Sequence, residues 1–287
     1  MTGGQTLRER TGRIIALHGV VLKKKYGQNF LIDEKVLRNI IEASGITRED
    51  SVLEIGPGIG TLTAALSDAA GSVTSVEIDR SLIPVLEDTL SDRDNVEIVC
   101  ADILKYDIEG VAHGKNGGRP LKVVANLPYY ITTPIMMKLL ESSLPIESMT
   151  FMVQKEVAER LVASPGSKAY GALTLSAAYH ANVSVAAIVP KSAFLPSPEV
   201  DSAVVTLKDC RSPKIRVRDE ALLFRLIRAS FQQRRKTLYN GLKGMPGLSC
   251  SVEELREKIE KLGKGAMVRG EELSLSEFAA LADSLLT

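Results

Sequence analysis

The sequence predicts an α/β fold up to about residue 211, a mostly parallel sheet with helices on both faces, and a small helical domain after it. Three observations carry this expectation. Strand-like and helix-like runs alternate from about Ser51, the first of those strands runs into a glycine-rich turn, and past Ser212 the alternation gives way to amphipathic helices with a basic excess. Alternation points to parallel strands, because neighbours running the same way need a crossover, usually a helix, between them.

Along the chain, "SVLEIG" precedes "TLTAALSDAA" and "SVTSVEID" precedes "SLIPVLEDTL". Then come "VEIVCAD", "LKVVANL" with "TPIMMKLLES", and "SMTFMVQK" with "EVAERLVA". The glycines and proline of "GVAHGKNGGRP", residues 110–120, predict a surface loop. A helix is expected from near Gly171. Two β-rich runs, "VSVAAIVP" and "VDSAVVTLKD", follow, joined by the irregular "KSAFLPSPE", and are expected to form a hairpin at the sheet edge. In "ALLFRLIRASF", Leu222, Leu223, Leu226, Ile227 and Phe231 share one face while Arg225, Arg228 and Gln232 lie toward the other. The domain boundary is placed near residue 211, giving domains 1–211 and 212–287.

With 287 residues, 45% hydrophobic and 25% charged, the chain can bury a sizeable core. No apolar run approaches the roughly 18 residues that span a bilayer, so no membrane helix is expected. "RIIALHGVVLKKK" has the apolar run of a secretory leader, but its main positive cluster follows that run and no small-residue cleavage site appears. Cys100, Cys210 and Cys250 are odd in number and far apart, as suits reduced thiols in the cytoplasm. With only His18, His113 and His180 beside them, neither a metal site nor a Ser/His/Asp triad is expected. Net charge is +1, yet between Arg211 and Lys243 ten basic residues face only Asp219 and Glu220, and Lys23, Lys24 and Lys25 form a second cluster. Such local excess suits a phosphate-facing surface, or a solvated helix face.

In "VLEIGPGIGTLT" the strand ends at a turn that opens a helix, so a bare backbone and its amides can approach a ligand at Gly56, Gly58 and Gly60. The spacing is G-x-G-x-G. A dinucleotide fingerprint needs G-x-G-x-x-G to seat a pyrophosphate, and here the position three after Gly58 is Thr61. An acid at the end of the next strand would bind a ribose diol; "SVEID" supplies Glu77 and Asp79, and spacing does not choose between them. Asp102 in "VCADIL" ends the third strand, where its carboxylate can accept from an adenine amine. Glycine, acid and acid at three consecutive strand ends fit an adenosine-bearing ligand without phosphate. That favours S-adenosylmethionine over a nicotinamide dinucleotide, since a sulfonium wants acidic and carbonyl groups around it.

"NLPYY" ends the fourth strand of this run. An exocyclic base amine is a poor nucleophile, because its lone pair is delocalised into the ring. Two acceptors holding its N–H bonds would turn that lone pair toward an electrophile: the Asn126 side-chain oxygen and a backbone carbonyl at Leu127 or Pro128, with Pro128 restricting the backbone before it. Tyr129 can stack on the base. No strong base is needed, because the proton leaves after the nitrogen has become cationic. The cluster therefore reads as an amine-methylation site that works by positioning.

With these motifs assembled, the chain closely resembles the small-subunit ribosomal RNA adenine dimethyltransferases of KsgA type, from about Leu22 to the C-terminus. "GQNFLID" is similar to the family segment that closes over the methyl donor, implying contacts from Asn29 and Leu31. "EIGPGIGTLT" implies a donor contact at Gly56, "VEID" assigns the ribose to Glu77, and "ADIL" assigns the adenine to Asp102. "NLPY" implies Asn126, where donor and target meet, with Leu127 and Tyr129 at the target amine. "FLPSPEVDSAVV" makes Phe194 the second face of a stack around a flipped adenine. "FQQRRKTLYNGL" implies that Arg234, Arg235 and Lys236 face RNA phosphate or support the domain junction.

The resemblance implies a seven-stranded Rossmann-like class I methyltransferase sheet, six strands parallel and the one from "DSAVVTL" antiparallel, then a small C-terminal helical domain. It also implies transfer of two methyl groups to N6 of each of two adjacent adenosines near the 3′ end of small-subunit (16S) rRNA, within an immature subunit. A cytoplasmic monomer using neither metal nor membrane is expected. Residues 1–21, an N-terminal extension outside the matched region, are assigned no role. Tyr26 and the long loop at 110–120 depart from the family pattern. Three other readings are weighed: a large-subunit rRNA methylase conferring antibiotic resistance, a non-catalytic RNA-binding assembly factor, and a nicotinamide oxidoreductase, which would leave the NLPY cluster unexplained.

Overall fold

The computed structural model of the chain describes residues 5–23, 26–114, 119–142, 144–248 and 250–286. It forms two compact units, residues 1–158 with 182–211 and residues 159–181 with 212–287.

The first unit begins with α1 (Leu7–Leu17), opened by a reciprocal cap in which the Thr6 hydroxyl accepts the Glu9 N–H and the Glu9 carboxylate accepts the Thr6 N–H. Ile14, Ile15 and Val20 pack on Phe30, Ile59, Leu82 and Val85, so the N-terminal extension has a place in the fold. After it come β1 (Phe30–Leu31), α2 (Glu34–Ser44), β2 (Ser51–Ile55), α3 (Thr61–Ala69), β3 (Ser72–Glu77), α4 (Ile83–Thr89) and β4 (Val96–Cys100). Then follow α5 (Glu109–Gly114), β5 (Leu121–Asn126), α6 (Thr132–Leu140) and β6 (Ile146–Gln154). In α7 (Lys155–Leu161) the chain passes to the second unit, which includes α8 (Ala172–His180). It returns for β7 (Asn182–Val189), β8 (Phe194–Leu195) and β9 (Ser202–Lys208).

Among the described residues, seven strands form one sheet in the order β4-β3-β2-β5-β6-β9-β7. All neighbours from β4 to β6 are parallel, and β9 runs antiparallel to both β6 and β7. The fold is therefore the expected α/β class, with one reversed strand inserted next to the edge. Every residue of β2 is buried, as a central parallel strand covered on both faces requires. The winding reverses at β2, between β3 and β5, so a crevice opens beyond the carboxyl ends of these strands. A second small sheet pairs β1 with β8, Phe30 opposite Leu195 and Leu31 opposite Phe194.

Two expectations need correction. The loop expected over 110–120 starts inside helix α5, where Val111 is buried and its N–H is donated to the carbonyl of the buried Ile108 at 3.0 Å; residues 115–118 lie outside the described residues, as do Lys24 and Lys25. Residues 159–181, placed with the first domain by the sequence, join the second unit. Helix α8 is apolar nearly all round, burying Leu173, Leu175, Ala177 and Tyr179, so its periodicity cannot say which core it enters.

The second unit continues with α9 (Glu220–Gln232), α10 (Leu238–Leu242), α11 (Val252–Glu260) and α12 (Leu275–Ser284). Asp219 starts α9 by accepting the Leu222 N–H at 2.8 Å. Leu222, Leu223, Leu226 and Ile227 are buried as the pattern predicts, with Phe278, Leu281 and the Tyr179 ring, which meets Phe224 edge-on at 5.1 Å. Each such side chain contributes about 1.5–3 kcal/mol by leaving water. No helix among the described residues is long and apolar enough to cross a membrane.

Candidate active site

The crevice beyond β2, β3 and β5 is an open cleft, lined also by residues 26–31 and Phe194. Its floor is the turn after β2. Gly56 holds φ +71, and a Cβ there would project into open space, so the backbone lies bare toward the cleft. Gly58 holds φ +62 for another reason: a Cβ would come within 3.1 Å of the Phe30 ring. Its N–H is engaged too, donated to the Glu77 carboxylate at 3.2 Å.

The structure separates the two acids at the end of β3. Glu77 lines the cleft, its oxygens accepting the N–H groups of Gly58 and, at 2.8 Å, Asp79. Burial raises its pKa; those amides offset part of the rise, and the Asp79 charge adds to it. Asp79 points away from ligand space, accepting from Lys23 Nζ at 2.6 Å, Gln28 Nε2 at 2.9 Å and the Ser81 amide and hydroxyl. Asp102 lines the cleft at the end of β4 and accepts the Leu104 N–H at 3.0 Å. Beneath them Glu54, fully buried on β2, accepts from the Thr63 hydroxyl at 2.6 Å and the Ser75 hydroxyl at 2.7 Å. Burial pushes its pKa up to about 7 against those two donors, with the Glu77 charge raising it further.

At the end of β5, Asn126 lines the cleft and its Nδ2 donates to the Asn29 carbonyl at 3.2 Å. That bond fixes which end of the amide is which, leaving Oδ1 as the acceptor. The Pro128 carbonyl already accepts from the Ile131 N–H at 3.2 Å and the Thr132 hydroxyl at 3.0 Å. Of the two carbonyls the sequence left open, that of Pro128 therefore has both lone pairs engaged. Tyr129 lines the cleft with its hydroxyl 2.7 Å from the Ser202 hydroxyl. Burial pushes its pKa up, which keeps the phenol neutral. Phe194 reaches the same cleft from β8, held opposite Leu31, which lines it as well.

The cleft thus gathers Asn29, Leu31, Gly56, Gly58, Glu77 and Asp102 with Asn126, Leu127, Tyr129 and Phe194. A buried and a half-buried acid, carbonyls and a bare glycine suit an adenosine-bearing cation. Lys23, Gln28 and Ser202 take part through hydrogen bonds that no local spacing signals, their partners lying more than 50 positions away. Tyr26, a departure from the family pattern, also lines the cleft. Arg234, Arg235 and Lys236 are exposed in the second unit. Arg234 is engaged within that unit, donating to the Glu271 carboxylate at 2.9 Å and 3.1 Å and to the Lys168 carbonyl at 3.2 Å.

Residues 20–268 match the family model of ribosomal RNA adenine dimethylases. The chain is 54% identical over 276 residues to ribosomal RNA small subunit methyltransferase A of Lachnoclostridium phytofermentans, covering 96% of this chain and 95% of that protein. It is 47% identical to the protein of the same name from Listeria welshimeri, at 96% and 95% coverage. Among solved structures it is similar to a dimethyladenosine transferase from Plasmodium falciparum, with a TM-score of 0.72 and 26% identity over 88% of this chain and 95% of that one. The 23S rRNA methyltransferase ErmE gives a TM-score of 0.67 and 27% identity over 90% of this chain and 100% of that one. With its fold, its cleft and the match over residues 20–268 in agreement, the chain belongs to the ribosomal RNA adenine dimethylase family, whose members are methyltransferase enzymes.

Proposed function

We propose that this enzyme methylates N6 of two adjacent adenosines near the 3′ end of small-subunit rRNA, within an immature ribosomal subunit, with S-adenosylmethionine as donor. The observation that carries the reading is the orientation of Asn126 in the cleft, tied through Nδ2 to the Asn29 carbonyl, which leaves Oδ1 as an acceptor for an amine. The small-subunit substrate is supported by the 54% and 47% identities to small subunit methyltransferases, against 27% to ErmE.

When bound, S-adenosylmethionine supplies an electrophilic methyl group on a sulfonium. Glu77 would take the ribose hydroxyls, Asp102 the adenine amine, and the bare backbone at Gly56 would allow close approach. On the target side, Asn126 Oδ1 and the Leu127 carbonyl accept the two N–H bonds of the base amine and leave its lone pair facing the donor. No side chain need act as a strong base; the proton leaves a nitrogen that is already cationic. Extracting the adenine from its stack costs a few kcal/mol, and stacking on Tyr129 and Phe194, about 1–3 kcal/mol per contact, offsets it. Arg235 and Lys236 would add salt-dependent contacts to phosphate.

The test is mass spectrometry of rRNA nucleosides after incubating the protein and donor with unmethylated small subunits. Dimethyladenosine at two adjacent positions is expected. Methylation of naked large-subunit RNA in its place, or no transfer, refutes the reading.

A further inference from the structure

Asp79 follows the end of β3 beside the cleft, is only 2% exposed, and sends nothing into ligand space. Its oxygens are divided between two residues of the N-terminal segment. One accepts from Lys23 Nζ at 2.6 Å and the other from Gln28 Nε2 at 2.9 Å, while Gln28 Oε1 accepts the Lys23 N–H at 2.9 Å, closing a ring. From this ring the contacts run in two directions. Back along β3, the Asp79 N–H is held by Glu77, which also holds Gly58, against whose bare face the Phe30 ring lies. Forward along the segment, Asn29 Nδ2 donates to the Gly27 carbonyl at 3.0 Å and the Asn29 carbonyl accepts from Asn126.

We propose that Asp79 is a positioning residue: with Lys23 and Gln28 it latches residues 26–31 against the cleft, and through the Asn29 carbonyl this latch sets the orientation of the Asn126 amide. The inference rests on the function proposed above. An amide is nearly symmetric in shape, so only its hydrogen-bond partner determines whether O or NH₂ faces the substrate. Without the Asn29 carbonyl in place, Asn126 could present donors to an amine that needs acceptors. Releasing the segment would cost the Asp79 carboxylate its bonds from Lys23 and Gln28 and leave it only the Ser81 amide and hydroxyl. Burial acts to raise the Asp79 pKa, but the bonds from Lys23, Ser81 and Gln28 hold it at about 2, so the latch stays charged above about pH 4.

The test uses the full chain with Lys23→Met and Asp79→Asn, singly and together, and Lys23→Arg as the conservative control. Lys23 is 35% exposed, so Lys23→Met is expected to fold even if Asp79→Asn does not. Hydrogen exchange at 26–31 in the donor-free protein, titration with S-adenosylhomocysteine, and kcat at saturating donor are measured. Each single variant should speed exchange at 26–31 and lower both donor affinity and kcat by about tenfold, with KM for subunits little changed. The double variant should add little, and Lys23→Arg should restore most of the loss. Unchanged exchange at 26–31 overturns the latch, and this arm needs neither donor nor RNA. Faster exchange with kcat at saturating donor unchanged overturns the link to Asn126. A wild-type protein that binds no donor would defeat the functional reading instead, while exchange still decides the latch.

Discussion

Asn126 in the first unit and Arg234 in the second are both polar residues that the sequence singles out, and their surroundings differ in kind. At the strand ends the backbone dictates where side chains go: β2, β3, β4 and β5 stop at one level, and Gly56, Glu77, Asp102 and Asn126 line one cleft. In the helical unit a run of cations fixes a local charge but no partner, and Arg234 proves to be held by Glu271 and the Lys168 carbonyl. A motif that marks a strand end carries its geometry with it. A charge run does not.

The largest effect expected is at the cleft. Replacing Asn126 with Ala should lower kcat by roughly 10³-fold while leaving donor affinity nearly unchanged, since positioning accounts for up to about 7–11 kcal/mol when geometry is near ideal. Methyl-transfer assays beside donor titration check this, and turnover surviving within a few-fold would break the contrast drawn above.

Beneath the cleft Glu54 is an acid that titrates near neutral pH, whereas the helical unit displays permanent cations. With its folded pKa raised from 4.5 to about 7, Glu54 contributes stability that is fully present below pH 4.5 and lost as pH rises through 7. Glu54→Gln cannot ionise. It should match the wild type near pH 4 and exceed it by roughly 3 kcal/mol at pH 8. Denaturant unfolding at both pH values decides, and a constant offset between the two proteins would sink the idea.

Tyr129 divides stacking from hydrogen bonding. Tyr129→Ala should cost about 1–3 kcal/mol in kcat/KM for subunits, whereas Tyr129→Phe, which loses only the bond to Ser202, should stay within about threefold. Equal losses would make the hydroxyl the working group.

The smallest effects are expected in the basic run. Arg235→Gln and Lys236→Gln should each flatten the log–log salt dependence of subunit binding by about 0.7–0.9. Arg234→Gln should leave that slope alone and lower the stability of its unit by no more than about 1 kcal/mol, since its ion pair with Glu271 is partly exposed. A slope changed by Arg234→Gln would return that residue to the RNA-facing set.

Much of this molecule was legible before its structure. The seven strands, the apolar face of α9 and the groups at Gly56, Asp102 and Asn126 follow from local pattern, because side-chain period and turn residues are properties of neighbouring positions. The reversed strand and the places of Asn29, Leu31 and Phe194 came only from the family resemblance. The membership of α8 was not legible, since a helix apolar on all sides fits either core. Nor could spacing choose Glu77 over Asp79: the two differ by two positions on one strand end, and what separates them is that Lys23 and Gln28 occupy Asp79.

By itself, then, the sequence determined which chemical groups stand at the carboxyl ends of the strands, because strand termini and glycine turns are written locally. Which atoms of those groups remain open to a ligand depends on the folded chain. Hydrogen bonds make that decision, and their partners lie far apart in the chain: Gln28 reaches Asp79 across 51 positions, and Asn29 holds Asn126 across 97. Such pairings come into being only when the sheet has wound and the N-terminal segment has folded back onto it.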